Sequence, residues 1–185
     1  MDNGASSYRR YLDGDEQAFV NIIDEYKAGL TLYLCSVTGD IVRAEELMED
    51  TFAKLFIKKP RFSGKSSFKT WIYTIARNMA HDSRRRSSKI SETPIEDIEL
   101  VSGEEESVER MYIKEERKIM LHRALGTLKL EYRQVLYLIY FEDMDYNGAA
   151  AVMGKSKSQI RNLVARAKSS LRERLLKEGF IYEDN

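Results

Sequence analysis

The stretch YNGAAAVMGKSKSQIRNLVAR, residues 146–166, decides the reading of the fold. Gly154 stands where a tight turn between two helices needs a residue that tolerates positive φ. Ala150, four residues earlier, is small enough for a second helix to cross close by. Ser156 and Gln159 form an S-x-x-Q capping box, which starts that second helix at a defined place. Ile160, Leu163, Val164, Ala167 and Leu171 then recur at helical spacing and give it one apolar face. These are the parts of a helix-turn-helix. Its other face carries Lys157, Ser158, Arg161, Asn162 and Arg166. Arg and Asn can read guanine or adenine edges in a major groove, while Lys and Ser hold phosphates. The same pattern also suits an amphipathic hairpin whose basic face only keeps it in solution.

Outward from this motif, helical periodicity continues. Ala44, Leu47, Met48, Thr51, Phe52, Leu55 and Phe56 follow the i, i+3, i+4, i+7 rule, as do Phe68, Trp71, Ile72, Ile75, Ala76 and Met79. Phe19, Ile22, Ile23, Tyr26 and Leu30 form a third such series. No stretch alternates like a strand, so the chain reads as all-α. Pro60, Ser63 and Gly64 mark a loop between two helices. From Ser87 to about Ser107 the sequence holds Pro94, Gly103, several Ser and many Glu, with little apolar surface to offset the entropy of ordering. It predicts a flexible acidic linker over 90–107 between two small helical domains, 8–89 and 108–179, the second carrying the helix-turn-helix.

Charge is laid down in blocks. The 185 residues carry no net charge, yet residues 58–90 hold ten Lys/Arg against Asp82, a balance of +9. Residues 91–116 balance to −8, and residues 155–177 to +7. Such blocks set local fields that select partners even when the sum cancels, and two basic ones suggest two surfaces for a polyanion. Ordinary solvated helix faces give the same count.

Other classes find little support. No apolar run is long enough to span a bilayer, and Met1 to Ser7 lacks the pattern of a secretory signal. The single cysteine, Cys35, lies among Leu32, Leu34 and Val37, reads as a small buried hydrophobe, and fits a reducing cytoplasm. His81-Asp82 occurs in metal phosphohydrolases, but only His122 remains as a further histidine. Without a phosphate loop, nucleophile elbow or zinc spacing, no cofactor, metal or catalytic role is expected.

The other informative stretch is PRFSGKSSFKTWIYTIARN, residues 60–78. With Phe68, Trp71, Ile72, Ile75 and Ala76 inward, the opposite face shows Lys69, Thr70, Tyr73, Arg77, Asn78 and His81, followed by Arg84, Arg85 and Arg86. Aromatics within a basic surface suit unpaired nucleic acid, where bases stack on rings and cations follow the backbone. Trp71 falls between the two faces, as a core anchor or as a wedge.

Together the two motifs resemble the extracytoplasmic-function group of sigma factors. AEELMEDTFAKLF (44–56) followed by FKTWIYTIARN (68–78) is similar to that family's polymerase-binding and promoter-melting helices, in that order. Residues 128–133 and 140–171 are similar to its upstream-element reader. The resemblance implies a sigma factor that directs RNA polymerase core to promoters, as a cytoplasmic monomer commonly held by an anti-sigma protein. It places Glu45, Glu46, Glu49 and Asp50, with Phe52 and Leu55 near the edge, against the coiled coil of the largest polymerase subunit, and the second domain against the flap of the second subunit. Arg61, Phe62 and Ser63 match the loop that captures a flipped minus-ten base. Lys69, Trp71, Tyr73, Arg77, Asn78 and His81, with Arg84 and Arg85 beyond, match the surface that holds the opened strand. Lys157, Ser158, Gln159, Arg161, Asn162 and Arg166 match the reader of duplex minus-thirty-five DNA.

There are departures. Gly148 and Ala149 stand where the family usually has Glu-Ile, and Lys129 replaces a usual proline. A stand-alone helix-turn-helix regulator, or a helical protein that binds polymerase without reading DNA, would explain parts of the same pattern. The acidic cluster Glu104–Glu106 is further expected to keep the basic faces off random DNA.

Overall fold

The computed structural model describes residues 3–87, 120–121 and 123–177. The predicted linker with its Glu104–Glu106 cluster, residues 108–119, His122 and the side chain of Arg86 lie outside the described residues. Four helices make up the N-terminal half: α1 (Asn3–Leu12), α2 (Glu16–Thr38), α3 (Ile41–Lys58) and α4 (Phe68–Ser87). Their ends are set by local chemistry. Asp15 caps α2 by accepting from the Ala18 N–H at 3.3 Å, and Asp40 caps α3 by accepting from Val42 and Arg43 at 2.9 and 3.2 Å. Between them Gly39, at φ 76°, closes α2 in the left-handed conformation that favours glycine. Tyr8, Tyr11, Phe19, Tyr26, Phe52 and Phe68 fill the core. The Tyr8 hydroxyl donates to the Pro60 carbonyl at 2.8 Å and Tyr11 to that of Phe56 at 2.9 Å, so α1 staples the end of α3 and the following loop.

In the C-terminal half, helical residues 123–126 precede α5 (Leu130–Leu136). That helix runs into a π-helical turn (Tyr137–Phe141), followed by α6 (Tyr146–Met153) and α7 (Lys157–Lys177). Asp145 caps α6 by accepting from the Gly148 N–H at 2.7 Å, and Gly154, at φ 63°, makes the turn into α7. The capping box forms as expected: Ser156 N–H donates to Gln159 Oε1 at 2.7 Å, and Gln159 N–H donates to Ser156 Oγ at 3.2 Å. Lys155 Nζ reaches Glu131 at 2.8 Å and ties that turn back to α5.

The fold is all-α among the described residues, and the two helical units pack against each other. α5 and the π-helical turn lie on α2, and α6 lies on α4. This contact explains α2, which has one buried face early on but is buried all round at Tyr33, Leu34, Cys35, Ser36 and Val37. A helix covered on both sides needs apolar residues on both. Burial pushes the Cys35 thiol up to about 11, with Arg133 of α5 acting in the opposite sense, in keeping with a buried hydrophobe. Among the described residues no helix is long and apolar enough to cross a membrane.

Candidate nucleic-acid and polymerase interfaces

α4 is held by Phe68, Ile72, Ala76 and Ala80, all buried. Trp71 packs among Tyr8, Phe62 and Phe68 with ring centroids 5.3, 5.2 and 5.4 Å away. It remains half-buried, so it anchors the core while keeping part of its ring outside. Arg61 and Ser63 are exposed in the loop, with Phe62 half-buried between them against Trp71. Asn78, His81, Arg84 and Arg85 are exposed along the far half of the helix. Partial burial first, then Arg77 and Arg84, holds the His81 imidazole below its ordinary range, with Asp82 opposing. A proton there would add to a surface that is already cationic.

The expectation of one open face along α4 is corrected at Tyr73 and Thr70. Tyr73 is 1% exposed, and its hydroxyl donates to Glu142 Oε2 at 2.6 Å. Thr70 is buried as well. Burial, then the charge of Glu142, drives the Tyr73 phenol far above its usual range. Lys69 is half-buried, its ammonium 2.9 Å from Glu142 Oε2 and donating to the Glu142 carbonyl at 2.7 Å. Arg77, one turn beyond Tyr73, is half-buried. The reason is a second buried stripe: one side of α4 faces α2 and α3, and another faces α6.

On α3, Glu45, Glu46, Glu49 and Asp50 form an exposed acidic face, and Arg43 pairs with Glu46. Phe52 and Leu55 do not sit at its edge. Both are buried, Leu55 completely, because their stripe packs on α2, so neither can touch a partner in this conformation. Phe56 and Ile57, 49% and 70% exposed, supply the apolar surface beside the acids instead. Phe56 keeps one ring face on Tyr11, at 5.8 Å, and so is only half a core residue.

On α7, Lys157, Ser158, Gln159, Arg161, Asn162 and Arg166 are all exposed. Gln159 Oε1 is engaged by the Ser156 N–H, leaving its amide nitrogen for an outside partner. Arg161 and Lys168 flank Tyr140 and Tyr146, and Lys168 Nζ lies 5.8 Å over the Tyr140 ring. The first turns of α7 thus present cations and amides on a rigid, capped helix. Among the described residues no cluster of three or more His, Cys, Asp or Glu stands ready for a metal ion. Glu142 and Gly29, which join the α4 cluster, are the site residues that sequence reasoning missed. Glu142 lies in an acidic F-E-D-M-D run that signals only a turn.

A basic aromatic helix in one unit and a helix-turn-helix with a free basic face in the other define a two-part DNA-binding protein. Comparison with known proteins gives the class its family. Residues 22–90 match Sigma-70 region 2, and residues 118–171 match Sigma-70, region 4. The RNA polymerase sigma-H factor of Pseudomonas aeruginosa is 28% identical over 166 residues, which cover 85% of this chain and 86% of that one. The ECF RNA polymerase sigma factor SigC of Mycobacterium tuberculosis is 31% identical over 135 residues, covering 72% and 70%. Among solved structures, the sigma factor RpoE of Bartonella quintana, in complex with the anti-sigma factor NepR, aligns with TM-score 0.65 and 25% identity over 84% of this chain and 96% of that one. The chain belongs to the sigma-70 family of RNA polymerase sigma factors, in its extracytoplasmic-function group. Its partners are RNA polymerase core and promoter DNA, and it acts in transcription initiation.

Proposed function

We propose that residues 8–89 work as the unit that docks on polymerase and opens the minus-ten element, and residues 108–179 as the reader of the minus-thirty-five element. The exposed, capped basic face of α7 carries the second assignment, since its Lys157, Arg161, Asn162 and Arg166 are free to enter a major groove. The acidic face of α3, with Phe56 and Ile57 beside it, is the docking surface for a basic polymerase element. Arg61, Phe62 and Ser63 take the flipped base, while Trp71, Asn78, His81, Arg84 and Arg85, joined by Lys69 and Tyr73 once these are uncovered, hold the opened strand. The protein works in the cytoplasm, as an initiation factor rather than an enzyme. The RpoE relative bound to NepR supports an anti-sigma protein as a further partner.

Run-off transcription by purified core polymerase with this protein, on a promoter library, tests the reading. Polymerase binding with promoter opening is the expected result. DNA binding without polymerase would establish a stand-alone regulator instead, and polymerase binding without opening an interaction protein. On a promoter so found, Arg161→Ala should weaken binding by about 1–3 kcal/mol if it reads a base, with the loss confined to one position of the site.

A further inference from the structure

We propose that Glu142 is an internal phosphate mimic, which latches the C-terminal unit over the strand-holding stripe of α4 and must be displaced before DNA can occupy it. This rests on reading α4 as the strand-holding surface. The chemistry of the cluster is that of a phosphate site. A lysine ammonium and a tyrosine hydroxyl converge on one carboxylate oxygen, Lys69 Nζ at 2.9 Å and Tyr73 Oη at 2.6 Å, and Lys69 also takes the Glu142 carbonyl at 2.7 Å. Lysine and tyrosine are among the side chains that bind phosphate oxygens, and charge assistance makes such bonds strong. Burial and the neighbouring carboxylate keep the Tyr73 phenol protonated, hence a donor.

The backbone around the cluster is shaped to deliver it. The π-helical turn ends with the Glu142 N–H donating to the Tyr137 carbonyl at 3.0 Å, and Asp143 follows at φ 48°. Two glycines admit the close approach. A Cβ on Gly29 would lie 2.5 Å from the Tyr73 hydroxyl and 2.7 Å from Glu142, and one on Gly148 would lie 3.1 Å from both Thr70 Oγ1 and the capping Asp145 Oδ1. Gly148, out of place for a scaffold helix, is thus explained by what packs on it.

The seam is built to open. Tyr33 Oη of α2, Arg77 Nε of α4 and Arg133 Nε of α5 are buried without hydrogen-bond partners among the described residues. Such groups gain partners when the helices part, which offsets the loss of the latch. A polyanion that binds the freed lysine and tyrosine draws the equilibrium further toward the open state.

The test uses the full chain and two variants, Glu142→Gln, which removes the charge, and Gly148→Glu, which wedges α6 away from Thr70. Gly148→Glu also replaces glycine inside a helix, so it favours local folding. Binding of a fluorescein-labelled 15-nucleotide single strand is followed by anisotropy at low salt, and compactness by small-angle X-ray scattering. Both variants should bind the strand about tenfold more tightly and show a larger radius of gyration. Adding Lys69→Met to Glu142→Gln should erase the gain in affinity. If the variants stay compact and gain no affinity while the wild type still binds the strand, the latch is wrong and the strand-holding surface stands. If they expand but affinity does not change, Lys69 and Tyr73 take no part in holding the strand, and the mimic fails.

Discussion

Trp71 shows how a single side chain serves both fold and site. Helical spacing places it at the border of two faces, and contacts with Tyr8, Phe62 and Phe68 make it an anchor whose ring is still reachable. Truncation should therefore act twice. Trp71→Ala is expected to cost about 3 kcal/mol of stability, the low end for a large aromatic because the residue is not fully buried. It should also impair promoter opening more than binding to core polymerase. Denaturant unfolding, with opening and binding assayed side by side, checks both; an equal loss of opening and binding would leave only the packing role. Most site residues were legible at this scale, because exposure on a helix follows from spacing. Tyr73 and Thr70 were not, whereas the helical period had already put Phe52 and Leu55 in the apolar stripe, against the edge position that the resemblance implies. Aromatic and aliphatic side chains at a face boundary turn inward or outward according to what packs there.

At the scale of elements, caps carried the information. Asp15, Asp40, Asp145 and the Ser156–Gln159 box all sit where chain-local hydrogen bonding puts them, and each starts a helix. Asp145→Ala removes the acceptor of the Gly148 N–H and should lower stability by about 1 kcal/mol, seen as a shifted denaturant midpoint with an unchanged slope. An unshifted midpoint would mean that packing alone holds the start of α6. The π-helical turn at Tyr137–Phe141 was not legible in the same way. It departs from the 3.6-residue period over only a few residues, and its consequence, the placing of Glu142, appears 69 residues away in sequence at Tyr73.

The whole molecule adds an interface and, through burial in both units, a response to pH. Burial pushes Cys35 from 9.0 to about 11, and Tyr8 and Tyr137 from 10.0 to about 12. All three are acids held in their neutral forms by the fold. Their contribution to stability is complete below the unfolded values, and is lost as pH rises through those values toward the folded ones, because the unfolded chain ionises first. The thermal midpoint should hence fall between about pH 9 and 12. A midpoint flat across that range would show that these groups reach water in the native state.

The sequence by itself determined the three long helices of the N-terminal half, the Ser156–Gln159 capping box, the helix-turn-helix and the two basic surfaces. Each of these depends on residues within a turn or two of one another, where spacing and hydrogen-bond chemistry are enough. Only the tertiary structure decided which stripe of α4 is covered, that Phe56 of the apolar series on α3 is left half outside, and that Glu142 meets Lys69 and Tyr73. Those outcomes depend on the packing of helices far apart in the chain, where two glycines leave room for side chains such as Tyr73, Glu142 and Thr70 and burial is shared between units.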